Sequence, residues 1–280
     1  MSDLPARPDD AWANGEAYER YVGRWSRLVT REFLQWLAVP ARRVWLDVGC
    51  GTGSLVRTIL EDAAPTRIKG VDKSEGFIGL ARQMILDHRV SFAVGDAQVL
   101  PEESASYDAV VSGLVLNFVP KPELAAAEMI RVARPGAVVG AYVWDYAGRM
   151  DLMRRFWDAA VALDPAAADF QEGSRFPLCR PEPLEELFSS VGFEDVAVRA
   201  VDVATVFKDF EDYWLPFLGG QGPAPAYAIS LNEERRAALR ERIRLELPIA
   251  PDGSIPLMAR AWAVRCARPR STARPGGPWV

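Results

Sequence analysis

Residues 44–53 read Val-Trp-Leu-Asp-Val-Gly-Cys-Gly-Thr-Gly, and this stretch decides the fold. The apolar run Val44–Val48 has the length of a buried strand and is too short for a buried helix. Glycines at 49, 51 and 53 end it, and an apolar helical pattern over 53–62 follows. A strand that breaks into glycines and then a helix is the opening of a βαβ unit. Alternate glycines let the backbone turn sharply and place no Cβ between the loop and a ligand. Asp47, just before the turn, suits a cationic or amine-bearing ligand and repels a diphosphate. A dinucleotide loop reads GxGxxG and sets phosphate on the helix N-terminus. Here the third glycine comes one residue early, and Ser54 stands where the last would be.

Outward from that loop the same alternation continues. Ile68–Val71 reads as a second strand and Ser74–Asp87 as a helix capped by Ser74. Val90–Val94 and Tyr107–Ser112 read as the third and fourth strands, Pro122–Ala133 as a helix. Arg134-Pro135-Gly136 reads as a tight turn and Ala137–Trp144 as the fifth strand. Such alternation predicts a doubly wound α/β domain, a parallel sheet with helices on both faces. Later come a helix over 149–163, a helix Pro181–Val191 stopped by Gly192, a strand Val196–Val206 and a last strand Pro256–Ala267. Between these strands, 209–247 carries two helical patterns separated by the loop LGGQGPAPAY, the second opening on Asn232.

The chain therefore divides into an N-terminal helical segment (1–37), a sheet domain (38–267) with helical insertions near 146–180 and 208–250, and a disordered tail (268–280). An open sheet binds its ligand beyond the carboxyl ends of its strands. The N-terminal segment, with Tyr18, Tyr21 and Trp25 on its apolar stripe, is expected to cover that mouth. The aromatics of the insertions (Phe156, Trp157, Phe170, Phe176, Tyr213, Trp214, Phe217 and Tyr227) serve either an apolar pocket or the packing of the insertions themselves.

A formal net charge of −5 over 280 residues gives no broad attraction for nucleic acid or anionic lipid. No apolar run approaches a membrane span. Three scattered cysteines with no CxxC pair speak against a zinc cluster or disulfide framework and fit a cytoplasmic protein. No metal site is expected.

The remaining candidates end the strands. Asp72, one βαβ unit past Gly49, is placed to meet ribose hydroxyls, with Lys73 beside it. Gly95-Asp96-Ala97 ends the third strand, where a carboxylate can accept from an adenine amino group. Asp145 follows the fifth strand and is the one candidate general base. His88, the sole histidine, is expected on the helix before the third strand, away from the mouth.

Together, DVGCGTG at 47–53, VDKS at 71–74, GDAQVLP at 95–101, YDAVVSGLVLNFV at 107–119 and RVARPGAVV at 131–139 resemble the class I S-adenosylmethionine-dependent methyltransferases of small molecules, in the ubiquinone-biosynthesis-like group. YERYVGRWSR at 18–27 resembles a segment found before the sheet in that group. The resemblance implies a Rossmann-like, seven-stranded, mostly parallel sheet with helical caps, the last strand antiparallel, and S-adenosyl-L-methionine as cofactor. It implies that Asp47 holds the methionine amino group and that Gly49, Cys50, Gly51 and Gly53 line the methionine and ribose. Asp72 and Lys73 would lie at the ribose, Asp96 and Ala97 at the adenine, Ser112 to Leu116 (Leu114 among them) near the sulfonium, and Tyr21 and Trp25 over the cofactor. It departs where many relatives carry a histidine pair and this chain reads Leu116-Asn117-Phe118, which leaves O-, N- and C-methylation open. The expected activity is in-line methyl transfer to a small-molecule acceptor. The alternatives are an NAD(P)-dependent oxidoreductase, or a cofactor-binding protein without catalysis.

Overall fold

The computed structural model describes residues 19–219 and 222–270. Its seven strands are β1 (Val44–Val48), β2 (Arg67–Asp72), β3 (Val90–Val94), β4 (Tyr107–Gly113), β5 (Ala133–Trp144), β6 (Glu194–Phe207) and β7 (Ile255–Ala267), in the sheet order β3-β2-β1-β4-β5-β7-β6. β1 to β5 pair in parallel, and β7 runs antiparallel to both β5 and β6. The sheet is the doubly wound, mostly parallel one expected. The chain steps from β1 outward through β2 to β3, then returns to lay β4 on β1's other side. The mouth between β1 and β4 is thus the topological switch point, where an open sheet leaves a crevice.

Helices α1 (Arg24–Leu37), α2 (Ser54–Asp62), α3 (Glu75–Met84), α4 (Pro122–Val132), α5 (Asp151–Leu163), α6 (Pro181–Ser190), α7 (Phe210–Trp214), α8 (Pro223–Ser230) and α9 (Glu233–Glu246) surround it. Ser74 caps α3 by accepting from Phe77 N, and Asn232 caps α9 by accepting from Arg235 N. A π-helical turn, Glu19–Gly23, leads into α1.

Three sequence expectations are corrected. Pro223–Ser230, read as loop, is a helix, because its prolines fall in the first turn, where no amide is needed for the helical ladder. Arg134-Pro135-Gly136 belongs to β5, which starts at Ala133 with a register shift against Tyr107–Ala109. Arg268 is ordered: its N–H donates to Ala137 O and its guanidinium to Arg131 O and Ala133 O. Residues 1–18, including Tyr18, and 271–280 lie outside the described residues.

The aromatics of the insertions pack mainly on one another. Phe156 stacks on Phe217 at 4.5 Å, Trp157 meets Tyr227 at 5.4 Å, and Tyr213 donates its hydroxyl to Leu152 O. They form a cap core in which α1 is seated: Tyr21 lies edge-on to Phe217, Trp25 edge-on to Phe207, and Arg24 pairs with Asp212 at 2.8 Å. At its other end α1 presses on β5, where a Cβ on Gly140 would stand 2.7 Å from Leu37, 3.0 Å from Phe33 and 3.0 Å from Val264 O. Backbone on one side leaves no room to yield. Gly140→Ala is therefore expected to destabilise the fold by about 1–3 kcal/mol in denaturant unfolding.

Candidate functional site

The loop after β1 closes on itself and on β2. Gly49 N and Cys50 N both donate to Val71 O, at 2.7 and 3.1 Å. Asp72 accepts from Gly51 N on one oxygen and from Ser74 N on the other, each at 2.9 Å. The loop requires positive φ, 76° at Gly49 and 53° at Gly51, a region that costs residues with a Cβ. A Cβ on Gly49 would collide with Val115 at 2.5 Å, whereas one on Gly51 would meet no atom within 4 Å.

Gly51 is free on that side because it borders a cavity of about 540 Å³ at the carboxyl ends of β1 and β4. On the flank toward β2 and β3, the cavity is lined by Asp72, Lys73, Ser74, Phe77 and Gly95–Gln98. Toward β4 and β5 it is lined by Gly113, Leu114, Val115, Phe118, Tyr142, Trp144 and Tyr146, and the N-terminal segment adds Val22 and Ser26. Phe118 and Tyr146 are backed by Phe176, at 5.1 and 5.7 Å between ring centres.

Asp47 is the electrostatic centre. It lines the cavity, is 1 % exposed, and neither carboxylate oxygen has a hydrogen-bond partner among the described residues. Burial, and then the nearby Asp72 carboxylate, push its pKa well above the usual carboxylate range. A buried acid without a partner is costly to ionise unless a cation arrives. Asp96, exposed at the far flank, is instead held below the ordinary range by the Gln98 backbone N–H and side-chain amide. The Cys50 thiol is pushed up by burial and by Asp47 and Asp72, which makes it an unreactive wall.

Of the residues singled out from sequence, Asp47, Gly49, Cys50, Gly51, Asp72, Lys73, Asp96, Ala97 and Leu114 meet around this cavity. Five do not, each for a local reason. Gly53 starts α2 with its Cβ direction toward Ile85, 2.6 Å away. Ser112 donates to Val48 O at 2.8 Å and ties β4 to β1. Tyr21 and Trp25 point into the cap core, and the lining falls to their helical neighbours Val22 and Ser26. Asp145, the candidate base, accepts from Gly148 N and Arg149 N at 3.0 Å each and closes a turn. His88 is 93 % exposed and follows α3 instead of lying on it. Trp144 and Tyr146, which the sequence puts at the end of the fifth strand on the expected acceptor side, line the cavity; Tyr142 was missed, although alternation along AYVWDY puts it on the same face. Phe77 was missed too, one helical turn past the Ser74 cap.

Among the described residues, no His, Cys, Asp and Glu cluster could hold a metal ion, and no helix is long and apolar enough to cross a membrane.

Comparison with known proteins adds the following. A family profile described as a methyltransferase domain matches residues 46–140. A curated demethylmenaquinone methyltransferase of a Roseiflexus species is 32 % identical over 170 residues, covering 56 % of this chain and 70 % of that protein. Among solved structures, a Bacillus halodurans protein described as a putative methyltransferase superposes with a TM-score of 0.57 at 15 % identity, over 86 % of this chain and 98 % of its own. A Haemonchus contortus phosphoethanolamine N-methyltransferase, solved with S-adenosyl-L-methionine, gives 0.58 at 17 % identity over 91 % of this chain and 56 % of its own. At such identities the two structures speak for the fold alone.

The state of Asp47 has a consequence for stability. The unfolded chain ionises this carboxyl in the ordinary range, whereas the folded chain without ligand holds its proton to higher pH. Between those points the unfolded state binds fewer protons, so stability falls as pH rises. Asp47→Asn removes the penalty. In thermal melts without ligand, its Tm is expected to match wild type near pH 4 and to exceed it by a few degrees, about 2–4, at pH 8.

Proposed function

This chain belongs to the class I S-adenosylmethionine-dependent methyltransferases, in their ubiquinone- and menaquinone-like group, and on that premise we propose which residues hold the cofactor and what acceptor it serves. It is an enzyme, and its cofactor is S-adenosylmethionine. The oxidoreductase and non-catalytic alternatives give way to that membership.

The observation that carries the assignment is the buried, partnerless carboxylate of Asp47 at the glycine loop. It fits the cofactor's methionine ammonium, which satisfies both oxygens' need for a donor and supplies the missing opposite charge. Gly49, Cys50 and Gly51 let the methionine and ribose approach the main chain. Asp72, its orientation already fixed by Gly51 N and Ser74 N, keeps lone pairs for the ribose hydroxyls. Phe77, Asp96 and Ala97 receive the adenine, with Lys73 at the ribose edge, and Leu114 lies toward the sulfonium. Bound there, the cofactor supplies a methyl group on a sulfonium, a leaving group that needs no further activation for in-line displacement by the acceptor.

The acceptor is an uncharged small molecule bearing a flat ring. The charged residues of the lining sit at the glycine loop and on the β2–β3 flank, and the opposite wall presents Val22, Phe118, Trp144 and Tyr146. Such a wall suits an apolar face, and the name of the Roseiflexus relative, demethylmenaquinone methyltransferase, points the same way. The wall's task is to align the acceptor and exclude water. The described part of the N-terminal segment, residues 19–37, covers this site, a reading supported by Val22 and Ser26 in its lining, and the insertions near 146–180 and 208–250 form the cap of the domain spanning 38–267.

Titration calorimetry with S-adenosylmethionine tests the assignment. Gly51→Trp places a ring where the cavity now is, and is expected to weaken binding by about a hundredfold or more while circular dichroism keeps its native form. Asp145→Asn, which alters only a turn, is expected to leave affinity within about twofold of wild type. Undiminished binding by Gly51→Trp puts the cofactor elsewhere.

A further inference from the structure

Two walls of the cavity, the N-terminal helix and the turn after β4, are far apart in sequence and touch through one chain of hydrogen bonds. Thr30 Oγ1 donates to Ser26 O at 2.8 Å, Thr30 Oγ1 and Tyr142 Oη are 2.8 Å apart, and Leu114 N donates to Tyr142 O at 2.8 Å. Ser26 and Leu114, the two ends, line the cavity, and so does part of Tyr142 between them. Thr30 and Tyr142, the middle, are 1 % and 3 % exposed.

Proton counting fixes the direction of the central bond. A threonine hydroxyl has one proton. Thr30 gives its proton to a carbonyl, which can only accept, so Tyr142 donates to Thr30. The phenol ring is further held by Phe33, 4.8 Å away on the same helix. Its hydroxyl rests against β4: a Cβ on Gly113 would fall 2.6 Å from Tyr142 Oη. Next in the chain, Leu114 takes φ 61°, a left-handed conformation that strains any residue with a Cβ. Such a residue persists only where its surroundings impose the geometry, and here Tyr142 holds the turn by its carbonyl on Leu114 N and by its ring against Gly113.

We propose that Tyr142 and Thr30 act as a pair of positioning residues that lock the N-terminal cover to the strained Gly113–Leu114 turn, so that the cofactor cavity exists in its binding form only when both walls are in register. Neither is a catalytic residue. The inference rests on the cofactor assignment above, and it accounts for a hydroxyl in β5 that no step of methyl transfer requires. It also explains why position 113 is glycine: any side chain would displace the phenol and open the lock.

The test is calorimetry with S-adenosylmethionine at 15 °C, where all variants are folded by circular dichroism, on wild type, Tyr142→Phe, Thr30→Val, Thr30→Ser and the Tyr142→Phe/Thr30→Val double variant. Tyr142→Phe and Thr30→Val are each expected to weaken binding about tenfold, and the double variant no more than either single one, because both break the same link. Thr30→Ser keeps the hydroxyl and is expected to stay within about twofold of wild type. If either single variant binds as wild type does and loses only thermal stability, or if the double variant shows the product of the two losses, the pairing is wrong. If wild type itself fails to bind, the cofactor assignment has failed before the pair is tested.

Discussion

A carboxylate buried without a partner is the constraint around which this protein is arranged. Asp47 ends β1 inside the sheet, 1 % exposed, with both oxygens unsatisfied among the described residues and a second acid, Asp72, close enough to raise its pKa further. A buried acid without a partner works against the stability of the empty fold. On the proposed assignment, the ammonium of the bound cofactor completes it. On that proposal the glycine loop, the Asp72 anchor and the missing Cβ at Gly51 leave the cation its way in.

The rest of the molecule holds this opening in shape. The order β3-β2-β1-β4-β5 puts the crevice between β1 and β4, and antiparallel β7 extends the sheet so that β6 can reach the cap. The cap's aromatic core seats α1 through Tyr21, Trp25 and the Arg24–Asp212 ion pair. With the helix so fixed, Val22 and Ser26 become the third wall of the cavity. The ion pair is partly exposed and contributes little by itself; the edge-on ring contacts beside it do most of the seating.

The sheet was legible because its signals are local. Val44–Val48 is apolar but for Asp47 and is punctuated by glycines, and β2, with its helix capped by Ser74, repeats the unit. The loop acid and Asp72 were equally legible, since their positions follow from strand ends. Side-chain direction was not. Tyr21 and Val22 in the turn before α1, and Trp25 and Ser26 in its first turn, are neighbours in sequence, and only the cap, assembled from residues about 180 positions later, decides which pair faces the cavity. Asp145 looked free in sequence, whereas the amides of Gly148 and Arg149 claim it in space. Ser112 was misjudged for the same reason, its hydroxyl being spent on Val48 O across the sheet. The helix at Pro223–Ser230 was hidden because prolines forbidden inside a helix are harmless in its first turn.

The claim that Asp47 exists to receive an ammonium is tested most directly by removing that ammonium from the ligand. S-adenosylhomocysteine and its analogue with the α-amino group replaced by hydrogen differ in nothing else at the site. Calorimetry at pH 7.5 is expected to give the deaminated analogue an affinity about a hundredfold weaker, since it leaves the buried Asp47 carboxyl without its partner. Equal affinity for the two compounds would contradict the account.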